Sequence, residues 1–238
     1  YICGREKRMK RSFLIPGITG TAVVIMSIFL LTVFPGKAGK LPEGFSTPVI
    51  AFEFIKNADE ARELFNVPDP AKSRYIIDAM DRGNRLDFIY MVLYSSFLFL
   101  FSRKAFKVSR RKLLPAVMIL SFIILTGDFL ENIQLLAITS KLQNGDFSGE
   151  IKLLRIFTWQ KWGGLAISCT LLAPYFIKGN LFSKAIAVCG ISTGALGLAA
   201  FMHRSILNEI FSLFTGITFA LITIYCLIYT TAENRRQD

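Results

Sequence analysis

Charged and hydrogen-bonding side chains recur at helical spacing inside runs of this chain that are otherwise apolar. Leu86-Asp87-Phe-Ile-Tyr90-Met-Val-Leu-Tyr94 puts Asp87, Tyr90 and Tyr94 on one helical face. Thr126-Gly-Asp128-Phe-Leu-Glu131-Asn132 does the same for Asp128, Glu131 and Asn132, with Ser121 two turns below. A third run opens Trp159-Gln160-Lys161-Trp162, and Gly164 and Ser168 follow on the Lys161 side. An unpaired charge in hydrocarbon is costly, so such groups face one another or a cavity. Acids gathered around a single lysine cannot all ionise cheaply; either Asp128 or Glu131 is expected to keep a proton while Lys161 pairs the other. Asp87, Tyr90, Tyr94, Asp128, Glu131, Asn132 and Lys161 are therefore candidates for ligands to a small polar solute or lipid headgroup, or for carriers of a proton or cation. Two alternatives stay open. The same residues make a plausible interhelical network in a structural, assembly or regulatory protein, with Lys161 reaching the interface among Trp159 and Trp162. Or Asp128 or Glu131 is the general acid/base of an enzyme acting on a lipid-like substrate, with Lys161 steadying an anionic group.

Other chemistries find little support. His203 is the only histidine, with Ser205 nearby but no nucleophile motif around it. Cys3, Cys169, Cys189 and Cys226 have no paired spacing, so neither a disulfide framework nor a metal site is expected, and no cofactor is implied.

The elements that must position these residues follow from composition. The chain is 53% hydrophobic with 22 Phe and a mean hydropathy of +0.47, yet 19% of it is charged, so charge must be segregated from the apolar runs. Those runs are continuous rather than alternating and are long enough for a bilayer core. They predict an all-α membrane domain over residues 1–238 with about six spans: 13–34, 86–102, 113–138, 157–177, 181–202 and 206–229. Arg5, Lys7, Arg8, Lys10 and Arg11 precede the first span, and Arg103, Lys104, Lys107, Arg110, Arg111 and Lys112 separate the second from the third. These segments read as cytoplasmic, giving an N-in/C-in topology. The net charge of +11 is accounted for by that asymmetry and by anionic lipid, and no nucleic-acid partner is expected. The first span reads as an uncleaved anchor, and residues 1–8 as an extension ahead of a natural start at Met9.

Between the first two spans, residues 35–85 form an external loop. Pro48 to Phe65 reads as one amphipathic helix on the membrane surface with Phe52, Ile55 and Leu64/Phe65 on its apolar stripe, and Phe52 and Glu53 are candidates for a lid. Pro68 and Pro70 separate it from a helical stretch near Arg74–Met80. Arg204 and Glu209 read as boundary charges or as part of the site's rim. Gly190 and Gly194, with Gly197 beyond, allow a neighbouring helix to approach closely, in this chain or in another copy.

Phe52-Glu53 ahead of an Ala/Glu-rich amphipathic helix, Leu86-Asp87-Phe88, Asp128-x-x-Glu131-Asn132 and Lys161-Trp162 together resemble a loose group of uncharacterised bacterial polytopic integral membrane proteins, over residues 45–177. The resemblance implies a multi-pass protein of a bacterial inner membrane. It brings no activity with it.

Overall fold

The computed structural model describes residues 13–143 and 145–235, with side chains described as far as Tyr229. The basic flank from Arg5 to Arg11, Cys3, the stretch 1–8 and the start at Met9 lie outside the described residues. What is described is helical: α1 (Leu14–Val33), α2 (Pro48–Glu53), α3 (Ala58–Phe65), α4 (Pro70–Ser109), α5 (Leu114–Lys141), α6 (Ser148–Phe176), α7 (Leu181–Met202) and α8 (Ile206–Arg235). Local chemistry starts several of them. Asn57 caps α3 by accepting from Glu60 N at 2.9 Å, and Asn180 caps α7 by accepting from Ser183 N at 2.9 Å. Asp69 caps α4 by accepting from Ala71 N at 2.9 Å, while Pro70 supplies a fixed φ where no helical donor is needed. Helix α4 ends at Arg110, whose left-handed φ of 56° stops the helix.

Five of these helices, α1, α4, α5, α7 and α8, are long and apolar enough to cross a membrane. Helix α6 falls short of that standard because Trp159-Gln160-Lys161-Trp162 and the charged residues before it dilute its apolar content. Its surroundings explain why it tolerates them. Helix α6 packs along its length between α5 and α7 and touches α2, α4 and α8, so its polar face meets protein rather than lipid.

The long helices form a closed ring in the order α1, α4, α5, α6, α7, α8 and back to α1. Aromatic rings fill its interior. Phe101 stacks on Phe176 at 5.6 Å, Tyr94 and Phe97 meet Phe219 at 6.2 and 5.7 Å, and Phe13 closes the seam against Tyr225 and Tyr229 at 5.8 and 5.4 Å. Small residues set the helix spacing. A Cβ at Gly194 would stand 2.0 Å from Thr170 Oγ1, and one at Gly190 would stand 2.6 Å from the Cys169 carbonyl oxygen. The neighbour these glycines admit is α6 of the same chain.

The loop departs from its sequence reading in two ways. Pro48–Phe65 is not one helix: α2 ends after Glu53, and Asn57 caps a new start, because an asparagine oxygen competes for the backbone donors that a continuous helix would need. Nor is its apolar stripe spread on a surface. Phe52, Ile55, Ala61, Leu64 and Phe65 are buried in a second core with Ile76 and Met80 of α4, Leu135 and Ile138 of α5, and Ile151 and Leu154 of α6. The stretch near Arg74–Met80 does lead into the second span, being part of α4, which runs unbroken for 40 residues from Pro70. Two charged residues fasten the loop to the ring. Arg204 gives Glu60 a two-pronged contact at 2.7 and 2.9 Å and donates to the Phe54 carbonyl at 2.7 Å. Glu209 accepts from Ser46 N, Thr47 N and the Thr47 hydroxyl at 3.0, 2.8 and 2.6 Å.

Candidate functional site

Helix packing brings the polar faces of α4, α5 and α6 together. Gly127 and Gly164 let α5 and α6 approach so closely that a Cβ at Gly127 would stand 3.0 Å from Lys161 N, and one at Gly164 would stand 2.5 Å from the Ile124 side chain. Asp128, next to Gly127, is thereby set against Lys161. On the outer flank, Gln160 donates to the Ile123 carbonyl at 2.9 Å, fixing the rotation of α6.

Lys161 Nζ lies 2.5 Å from Glu131 Oε2, 3.2 Å from Glu53 Oε1 and 3.5 Å from Asp128 Oδ1. Asp128 also accepts a short hydrogen bond from the Tyr94 hydroxyl. Tyr94 packs edge-on against Tyr90 at 5.2 Å, and Tyr90 shares a hydrogen bond with Ser27 of α1 at 2.8 Å. One turn away, Asn132 donates to Asp87 at 2.6 Å. Lys161, Asp128, Glu131, Tyr94 and Tyr90 are thus linked contact by contact, with the Asp87–Asn132 pair one turn along the same helices. Phe52 does not join it, packing instead edge-on to Phe65 at 5.0 Å in the second core. Ser121 also stays apart, donating to the Met118 carbonyl at 2.7 Å.

Glu53 holds an unexpected place. It stands at the end of α2, outside the long helices, yet its carboxylate reaches Lys161 and accepts from Trp162 Nε1 at 2.7 Å. Thr158 ties it in further, donating to Glu131 at 2.8 Å and lying 3.2 Å from the Glu53 carbonyl. Thr158 and Ser27 carry no signal of their own in the sequence beyond position: Thr158 lies one turn before Lys161, on its face.

The cluster is nearly dry. Asp128 is 1% exposed, Glu131 0%, Lys161 6% and Glu53 9%. At such depth charges act through a low effective dielectric, where a unit pair at about 4 Å is worth about 4 kcal/mol even at an effective constant near 20. One ammonium faces Glu53, Asp128 and Glu131 directly, with Asp87 close behind. Full ionisation would leave a buried excess of negative charge, which a low dielectric makes costly. Burial pushes the Glu53 carboxyl above the usual carboxylate range, outweighing the Lys161 and Trp162 contacts that pull it down.

No family model, curated protein or solved structure matches the chain. Its function must be read from the cluster itself.

Proposed function

We propose that this chain is a six-span protein of a bacterial inner membrane, N-in and C-in, whose Lys161 cluster is a proton-holding site for the anionic group of a small polar solute or lipid headgroup. Helix α6 serves as the sixth span. Its 29 residues amount to about 44 Å at helical rise, and its flanking helices α5 and α7 are both apolar enough to cross. The cations at 103–112 support a cytoplasmic end for α4, which turns its Pro70 end and the loop outward.

The observation that carries the reading is the Glu53 carboxylate, delivered by a short loop helix to an ammonium already faced by Asp128 and Glu131. Glu53 occupies the place of a ligand: an anion held between an ammonium and an indole N–H, in a position reached from the loop side. Protonation of Glu53 releases its hold, and an external anion then takes up the Lys161 and Trp162 donors. Asp128 and Glu131, rooted in α5, remain beside the ammonium.

A second reading rests on the tight burial of the cluster, which suits a network joining α2, α4, α5 and α6 with no ligand at all. One experiment separates the two. The purified protein and its Glu53→Ala and Glu53→Ala/Lys161→Met variants are titrated with acetate and with inorganic phosphate, following Trp fluorescence and thermal stability. The binding reading expects Glu53→Ala to gain affinity and stability with one of these anions, and the double variant to lose both gains. If Glu53→Ala is merely less stable and neither anion restores it, the network reading stands.

A further inference from the structure

At the C-terminal end of α4 lies a second feature that the cluster does not involve. Phe99, Arg103, Phe106 and Lys107 of α4, with Arg110 at its C-terminal cap and Met118 of α5, line an open cleft of about 620 Å³. Arg103, Lys107 and Arg110 are exposed, and the sequence from 103 to 112 contains no acid. The left-handed turn at Arg110 brings its guanidinium over the Phe106 ring at 5.9 Å, keeping that charge at the cleft rather than beyond the helix end. Away from the cations the walls turn apolar. Phe99 meets Phe122 edge-on at 5.5 Å, and Ile119 and Phe122 are 64% and 58% exposed on the outer surface of the ring.

We infer that this cleft binds the phosphate headgroup of an anionic phospholipid, with Arg103, Lys107 and Arg110 on the phosphate and an acyl chain lying along Phe99, Ile119 and Phe122. The order of chemistry along the surface, cations at the helix ends and then exposed apolar ribs toward the middle of the helices, matches the order in the lipid. A soluble phosphate uses only the first half of such a site. Arg suits it better than Lys alone because a planar guanidinium can present paired donors to phosphate oxygens. The inference rests on the ring lying in a membrane and is independent of what the Lys161 cluster binds.

The test is native mass spectrometry of the detergent-purified protein mixed with phosphatidylglycerol or phosphatidylcholine, with inorganic phosphate as competitor. Phosphatidylglycerol is expected to be retained in preference to phosphatidylcholine and to resist competition by phosphate. Arg103→Gln, Lys107→Gln and Arg110→Gln should each weaken its retention about fivefold, the effect of one basic residue near an anionic headgroup. Met118→Trp, which fills the cleft from α5 without changing charge, should weaken it as well. Lys178→Gln, an exposed cation in the α6–α7 turn, should leave it unchanged. Equal retention of the two lipids, equal losses from Lys178→Gln and the cleft variants, or full displacement by phosphate would each overturn the assignment.

Discussion

Lys161 and its carboxylates are unequal partners, and the inequality decides what substitutions do. Removing Lys161 leaves several buried acids without a cation, whereas removing one acid leaves the ammonium still paired with the others. Lys161→Met should therefore lower unfolding free energy by about 3–5 kcal/mol, as for other broken buried pairs. Glu131→Gln, which keeps shape and the Thr158 hydrogen bond, should cost much less. Thermal or denaturant unfolding in detergent measures both, and comparable losses would contradict the charge excess inferred here. Glu53 adds a pH signature. Its folded-state affinity for a proton is raised by burial, so the folded protein binds that proton more tightly than the unfolded chain does. Stability is then fully present below the ordinary glutamate range and is lost as pH rises through the elevated folded value. Glu53→Gln should flatten that part of the wild-type curve of melting temperature against pH; an unchanged slope would remove Glu53 as its source. The seven residues read from the sequence were legible because helical spacing and apolar surroundings mark intramembrane polar groups. The direct part played by Glu53 was not, since nothing local to Phe52-Glu53-Phe54 says that a loop carboxylate will end on a lysine 108 positions away.

At the scale of elements, the sequence made the long helices legible through continuous apolar runs, and α7 has the bounds Leu181–Met202 that its run suggests. Periodicity failed where a competing local signal was present. The stripe through Phe52, Ile55 and Leu64 fits one helix, but Asn57 prefers to cap, and the same residues reach a common core from two short helices. Helix α6 shows the reverse difficulty: its polar segment leaves it, alone among the long described helices, without a stretch apolar enough to cross a membrane, and packing between α5 and α7 accommodates that content. The loop's attachment is tertiary and could not be read from either end alone. Arg204 joins it to the α7–α8 turn through Glu60 and the Phe54 carbonyl, and Phe45 lies against the guanidinium at 5.3 Å. Arg204→Gln should raise local opening of residues 45–65 by roughly tenfold, given about 1.5–3 kcal/mol for hydrogen bonds to charged groups. Hydrogen exchange or limited proteolysis reads this directly, and uniform loosening of the whole chain would indicate a different role for Arg204.

For the whole molecule, the proposed orientation makes a plain prediction about access. Glu63 is exposed in α3, and Lys107 is exposed near the other end of α4. In intact cells, a membrane-impermeant thiol reagent should label Glu63→Cys and spare Lys107→Cys, which becomes reactive only when the membrane is opened. The opposite pattern would invert the topology and place the Lys161 cluster on the cytoplasmic side. The closed ring has a further consequence for how the protein is made. Phe13 at the start of α1 and Gly17 and Gly20 within it find their partners in Tyr225, Leu227 and Thr223 of α8. Helix α8, synthesised after the other described helices, is therefore a required wall of α1. Until it arrives, α1 is held on one side only, by α4, and the aromatic interior stands open to lipid along that seam. The Lys161 cluster, drawn from α2, α4, α5 and α6, has all its charged members synthesised before α7 begins. During biogenesis the electrostatic centre can form before α8 arrives, and the aromatic seal closes around it afterwards.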